Sequence, residues 1–424
     1  MTVVLDKNSG DGPSSPSGDE DLTPDGRRGF GRRMLDAYLY GNQIVVTFLA
    51  FLCALVVGSI LIAIADPPTR KAMGYFFQHP SDTFDRAWQA IAAAYTALFR
   101  GSILNPASLY SNGGVAIFGP ISDTLLNAAP LILGGLAVTV AFRAGLFNIG
   151  VQGQLIMGAI AAGYVGFAIS LPPFVHLVVA LIAGVVGGAL WGGLVGWLKA
   201  ATGAHEVITT IMLNYVAVYF LVYLLTLNGF QEPGSNQAIS RVVKSTARLP
   251  HLFGDLHFGI IIALAAAVAS WWLLSRSTLG FRIRAVGANH FAARTAGMPV
   301  ERSYVTVMVI SGALAGLVGC SQILGTNTQL TGSIDAGFGF DAITVALLGR
   351  GTPLGTVLAG LLFGAFRSGG VVMAAQTTTP YDVVTVIEAV IVLFIAAPAL
   401  VRGIFRLRAS RGGGVGQLAK GWNG

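Results

Sequence analysis

Ten stretches of this chain carry almost no charge, near 44–65, 121–142, 146–170, 174–198, 206–228, 258–274, 303–325, 338–349, 353–376 and 382–400. About 20 apolar residues let a helix cross the hydrocarbon of a bilayer. Within that layer every backbone N–H and C=O must be satisfied by the chain itself, which leaves helices or closed barrels. Runs of this length and spacing predict an all-α, polytopic membrane protein with about ten transmembrane helices. The low charged fraction, 11%, fits, because soluble domains carry roughly a quarter.

An even number of spans puts both termini on one side. If that side is the cytoplasm, it holds eighteen of the 26 Lys and Arg, the opposite side seven, and Arg367 falls within a span. The positive-inside rule then orients the chain with both termini cytoplasmic. The net charge of +7 is accounted for by anionic headgroups beside those inner-face residues and calls for no nucleic acid. Residues 1–43 are rich in Gly, Ser, Pro, Asp and Arg and are expected to form a disordered cytosolic tail. Residues 403–424 form a basic cytosolic tail, and 44–402 the membrane domain. Between the first two spans, an outer segment at 66–120 contains Phe84, Trp88, Ile91, Tyr95, Leu98 and Phe99 at helical spacing. This predicts an amphipathic helix at the outer interface.

Polar groups inside the membrane mark the places where function concentrates. The stretch AFRAGLFNIGVQGQ, 141–154, sets Asn148, Gln152 and Gln154 among glycines at the join of two apolar runs, so these amides should face other helices or a wet cavity. The eighth run is convincingly apolar only from Phe340 to Gly349 and follows Gly332, Gly337 and Gly339, which predicts a short or broken helix. Arg367 needs a partner, and Asp341 or Glu388 can supply it. Asn214 either bonds across helices or meets solute. Cys53 and Cys320 sit in apolar runs as packing residues. No P-loop, metal-ligand spacing or catalytic constellation is present, so no cofactor or metal is expected, and any nucleotide hydrolysis must come from a partner.

The segment SRSTLGFRIRAVGANHFAARTAGM, 275–298, separates two spans. Asn289 can cap a short helix from His290 to Thr295, stopped by Gly297 and Pro299. Small apolar residues with bases around them suit a groove on a soluble partner.

Four stretches in order, AFRAGLFNIGVQGQ, HEVITTIMLNY (205–215), LGFRIRAVGANHFAARTAGM (279–298) and GFDAITVALLGRGTPLGTVLAGLLFGAFRSGG (339–370), resemble the permease subunits of bacterial ABC importers. The family is that of branched-chain amino acid, ribose and nucleoside permeases, and the resemblance is greatest to the nucleoside branch served by basic-membrane-protein-type lipoproteins. It implies a type II-like importer half in the bacterial plasma membrane. It also implies an ABC ATPase, a second and different permease, and an extracytoplasmic binding lipoprotein as partners. Asn148, Gln152, Gln154, Asn214, Asp341 and Arg367 become candidates for the solute path. Arg282, Arg284, Gly287, Asn289, Ala292, Ala293, Arg294 and Gly297, in the loop 275–302, become candidates for ATPase coupling. Asn148 and Gln154 match the family's N-I-G-x-E-G-Q run, with Gln152 where a glutamate is usual. A nucleoside is the expected solute; a ribose-type sugar is the alternative, and an ion-coupled carrier would need a membrane relay of carboxylates or histidines that the scattered Asp123, Glu206, Asp341 and Glu388 do not form.

Overall fold

A computed structural model describes residues 43–105 and 118–405. The tail expected over 1–43 lies outside the described residues except for its last, the tail over 403–424 except for its first three, and so does the part of the outer segment at 106–117. The chain is helical almost throughout. In order run α1 (Gln43–Ala65), α2 (Pro67–Met73), α3 (Pro80–Ser102), α4 (Gly119–Arg143), α5 (Val151–Ala168), α6 (Pro173–Thr202) and α7 (Glu206–Leu224). A short hairpin of β1 (His251–Phe253) and β2 (Leu256–His257) precedes α8 (Gly259–Arg276), α9 (Thr278–Ala288), α10 (His290–Thr295) and α11 (Val300–Ser321). After a π-helical turn at Gln322–Thr326 come α12 (Phe338–Leu348), α13 (Pro353–Gln376), α14 (Asp382–Ala396) and α15 (Pro398–Ile404).

Eight of these helices are long and apolar enough to cross a membrane: α1, α4 to α8, α11 with its π-turn, and α13. The eighth expected span is the short α12, and the tenth is α14, broken before Pro398, whose ring cannot continue the helix without losing a hydrogen bond. α4 is the central post, with nearly every residue from Ala128 to Ala141 buried. α6 and α11 pack backbone to backbone. A Cβ at Gly188 would run into the Gly312 carbonyl, and one at Gly316 into that of Gly184. Such close approach is how helices associate where lipid removes the hydrophobic drive.

Two segments run differently from their sequence expectation. The third span was expected from 146, but α5 begins only at Val151, and residues 144–150 turn back into the bundle as irregular chain. Hydropathy cannot see this, because LFNIG is apolar enough to pass for helix. The outer-segment helix is present as α3, with its apolar stripe divided between the bundle and the outside. Ala94, Ala97 and Gly101 are buried, Ile91, Tyr95 and Leu98 pack half-buried against the bundle, and Phe84, Trp88 and Phe99 are exposed. Tyr95 donates its hydroxyl hydrogen to Leu55 O (2.6 Å), and Ser368 Oγ donates to Gly101 O (2.8 Å). Ser368 lies eight residues from the end of α13 and Leu55 ten from the end of α1, so at about 1.5 Å per residue the tip of α3 reaches some 12–15 Å below those ends. Phe84, Trp88 and Phe99 face outward, where hydrocarbon accepts them, and the small Ala94, Ala97 and Gly101 permit the close contact.

Arg143, Arg276, Arg284 and Arg350 make one end of the bundle its basic face. At the far face, Asp66 caps α2 and ties it to the turn after α13. Its carboxylate accepts from the Thr69 amide (3.0 Å), the Thr69 hydroxyl (2.7 Å) and the Thr378 hydroxyl (2.7 Å). Burial opposes ionisation of Asp66, but these bonds and the nearby Arg70 outweigh it and hold the carboxyl below its usual range.

Candidate functional site

Two helices begin in the middle of the bundle and run in opposite directions. α5 starts after the irregular segment that rises from the basic face, and α12 starts after the loop 327–337 that descends from the far face. They meet at their first turns: a Cβ on Gly339 would stand 2.6 Å from Gln152 Cα, and Gln152 Nε2 donates to Asp335 Oδ2 at 3.0 Å. Arg143 Nε donates to Gly351 O at 2.6 Å, so α4 and α12 end together at the basic face. The eleven residues of α12 then place Gln152 roughly 16 Å above that face. Irregular backbone at such depth is tolerated where protein or a water-filled cavity surrounds it.

A cavity of about 340 Å³ opens beside this junction. It is lined by Asn127 from α4, Gln322 and Thr326 from the π-turn, Asn327, Thr331 and Ser333 from the descending loop, and Phe338 and Arg367. That volume falls in the range of small-molecule sites, roughly 300–1,000 Å³. Arg367 stacks over Phe338 (4.0 Å to the ring centroid), pairs with Asp341 (Nη1 to Oδ2, 3.2 Å) and donates to the Ala336 carbonyl. Of the two partners the sequence offered, Asp341 makes the ion pair; Glu388 lies close enough to feel both charges. Thr328 (φ 55°) and Ala336 (φ 44°) hold left-handed backbone, which costs about 1–2 kcal/mol per residue for L side chains, so the loop is shaped at some expense of stability.

The six path candidates divide into two sets. Gln152, Asp341 and Arg367 gather at the junction. Asn148, Gln154 and Asn214 are buried, and their bonds are spent on the chain. Asn148 Nδ2 donates to Gln154 Oε1 (3.0 Å) and Ser311 Oγ (2.7 Å), while its Oδ1 accepts from Gly150 N (2.9 Å). Ser311 in turn donates to Ala137 O (2.7 Å). Asn214 bridges Ile149 O (3.0 Å) and Gly153 N (2.8 Å). Lys199 and Glu206 pair at 2.6 Å, and Glu206 also accepts from Phe147 N at 3.5 Å. Together these side chains satisfy the backbone of the irregular segment that hydropathy reads as helix. The sequence reasoning missed Asn127, Gln322, Thr326, Asn327, Thr331 and Ser333. The signal available was the polar run GTNTQLTGSIDAG between two apolar helices.

Behind the π-turn lies buried His257. Gly259 N–H donates to its Nδ1 (3.1 Å), which leaves Nε2–H for Thr326 Oγ1 (3.2 Å). Burial, with a smaller contribution from His251, pushes its pKa down to about 4, so the ring is neutral at pH 7.

At the basic face, Ser277 caps α9 and Asn289 caps α10 by accepting from Ala292 N at 3.0 Å. Gly297 (φ 78°) ends α10. Phe291 is 69% exposed beside His290, with Arg282, Ala292 and Arg294 also on the surface. Ala293 faces inward instead, buried with Val286 and Val300. Arg284 is occupied by the Leu274 carbonyl and Arg294 by Glu301. Gly287 lies directly on the turn after α4: a Cβ there would stand 2.8 Å from Ala144 C and closer still to Arg143 O.

The profile of the family described as "Branched-chain amino acid transport system / permease component" matches residues 121–396. The guanosine ABC transporter permease protein NupP of Bacillus subtilis is 41% identical over 325 residues, 74% of this chain and 88% of that protein. The glucose ABC transporter permease protein TsgB13 of Haloferax volcanii is 36% identical, over 65% of this chain and 75% of its own length. The nucleoside ABC transporter permease protein NupB of Lactococcus lactis subsp. cremoris is 35% identical, over 66% and 80%. No solved structure matches the chain.

Proposed function

The chain belongs to the branched-chain amino acid transport system permease family, and from that premise we propose that it forms, with a second and different permease, the passage of an ATP-driven nucleoside importer in a bacterial plasma membrane. It is a permease subunit of an ABC transporter. The observation that carries the solute reading is the junction of two broken helices beside a cavity lined mainly by amides and hydroxyls, with Arg367, which Asp341 pairs from outside the lining, at its wall. Such a surface offers hydrogen bonds to a neutral, hydroxyl-rich molecule. A simple sugar is the second reading, supported by the relative named for glucose. An ion-coupled carrier has no such support.

In this proposal the basic face is cytoplasmic, with both termini there, and the loop 275–302 couples to a separate ATPase. A lipoprotein delivers solute at the far face. Phe291, His290, Ala292 and Arg294 form the surface that enters the ATPase, Asn289 and Gly297 fix the ends of α10, and Ala293 anchors it to its own chain. Arg282 adds positive charge, and Arg284 holds α9 to the end of α8. Displacement of α9 passes through Gly287 to the turn Arg143–Gly145, along the segment 144–150, and so to Gln152 and the cavity loop. Asn148, Gln154 and Asn214 keep that segment stiff. ATP shifts the balance between two arrangements only as far as it binds one of them better.

The assembled permeases, ATPase and lipoprotein in proteoliposomes are expected to accumulate guanosine in an ATP-dependent manner. Uptake of glucose in preference to every nucleoside, or uptake without the ATPase, would remove this reading. Phe291→Asp is expected to abolish ATPase association while thermal stability stays unchanged.

A further inference from the structure

The exposed faces of the long helices differ in chemistry. On α6 the exposed side chains are Phe174, Val175, Ile182, Val186, Leu190, Leu194 and Trp197, which hydrocarbon accepts. On α7 a stripe of Ile208, Met212, Tyr215, Tyr219 and Tyr223 is exposed beside the apolar Val216, Phe220 and Val222. Tyrosines near helix ends belong to the interfacial belt. Tyr215 and Tyr219, however, are the tenth and fourteenth of nineteen residues, and Tyr219 is 71% exposed. Among the described residues, the three hydroxyls find no hydrogen-bond partner. A phenol without a partner at mid-depth in lipid is costly.

Residues beside the stripe on α7 reach the candidate site. Asn214, next to Tyr215, holds Gly153 beside Gln152. Val222, next to Tyr223, lies against Gly332 between the cavity residues Thr331 and Ser333, its Cγ2 3.9 Å from where a Cβ would stand. Tyr164 of α5 stacks on Phe230 just beyond α7 (ring centroids 5.3 Å apart, planes at 23°).

We propose that the tyrosine stripe of α7 is a wetted wall of the passage, along which the planar base of a nucleoside stacks between the polar cavity and the basic face. This rests on the nucleoside reading. Aromatic faces accept any base, and the hydroxyls hydrogen-bond to water along the wall.

The test uses the full assembly with Cys53→Ala as background; Cys320 is buried and stays. Tyr215→Cys, Tyr219→Cys and, as control, Leu190→Cys, which replaces a residue 70% exposed on α6, are treated with a charged, membrane-impermeant methanethiosulfonate. The two tyrosine positions are expected to react about tenfold faster than the control, because a charged reagent does not reach groups dissolved in hydrocarbon. Guanosine is expected to slow them. Reaction at Tyr219→Cys no faster than the control overturns the proposal, whether lipid or a dry protein contact covers the face. Fast reaction that guanosine leaves unchanged overturns the stacking. If a cysteine variant does not assemble, Tyr219→Phe and Tyr219→Leu decide: Phe keeps the KM for guanosine and Leu raises it about threefold, since only the ring stacks. Equal KM in all three overturns the proposal. An assembly that imports no nucleoside at all removes the parent reading, whereas silence at Tyr219→Cys in one that imports guanosine removes this inference alone.

Discussion

Asn148 and Gln152 stand four residues apart, both amides, one in the irregular bend and the other in the first turn of α5, and the structure uses them oppositely. Asn148 is sealed, each side-chain atom committed to Gln154, Ser311 or Gly150. Gln152 reaches across to Asp335, on the loop that walls an open polar cavity. A closed polar network in a low-dielectric interior rigidifies and is costly to interrupt, whereas an open cluster keeps capacity for a visitor. Residue type does not distinguish the two roles; the number of partners supplied by the rest of the chain does.

Substitutions in the closed set should therefore show in stability, and those in the open set in transport. The largest effect is expected from Asn148→Leu, which strands Gln154 and the Gly150 amide at once and should cost about 3 kcal/mol, read as a lowered Tm in detergent. An unchanged Tm would break the comparison. The neutral His257 behind the π-turn is a second closed element. Its folded pKa of about 4 lies below the ordinary 6.5, so its contribution is complete above pH 6.5 and is lost as pH falls toward 4. The full loss approaches about 3 kcal/mol at most. His257→Gln should flatten that part of the stability profile measured between pH 7 and 4.

For the open set the order reverses. Arg367→Gln should lower guanosine uptake at least about tenfold while moving Tm less than Asn148→Leu does, because the Arg367 and Asp341 side chains keep some access to water. Gln152→Glu, which faces a second carboxylate toward Asp335, should raise KM about two- to threefold, in keeping with a partly screened like-charge contact, with the effect relieved at low pH. A large loss of Tm in either variant would place that residue with the closed set.

What was legible in the sequence was what is local. Asn289 and Gly297 bracket α10 because cap and stop act within a few residues of themselves, and the run of apolar residues marks each long helix. The bend at 144–150 was not legible, since its amides are satisfied by Ser311 and Asn214, far away in sequence. Periodicity found the stripe on α3 but not its division, with Ile91, Tyr95 and Leu98 toward the bundle and Phe84, Trp88 and Phe99 outward, because in a membrane an apolar side chain is as welcome outside as in. The cavity was half visible. Arg367 stood out as a charge in an apolar run, while Asn127, Thr331 and Ser333 are unremarkable singly and become a wall only when α4 and the descending loop meet.

The contact of Gly287 with the turn Arg143–Gly145 has no side chain on the α9 side. A joint between two main chains has no rotamers in which to lose a displacement, so a shift on one side arrives on the other at nearly its full amplitude. Its stiffness comes with intolerance: any branch at that position pries the two surfaces apart, and the stroke then falls on an empty gap.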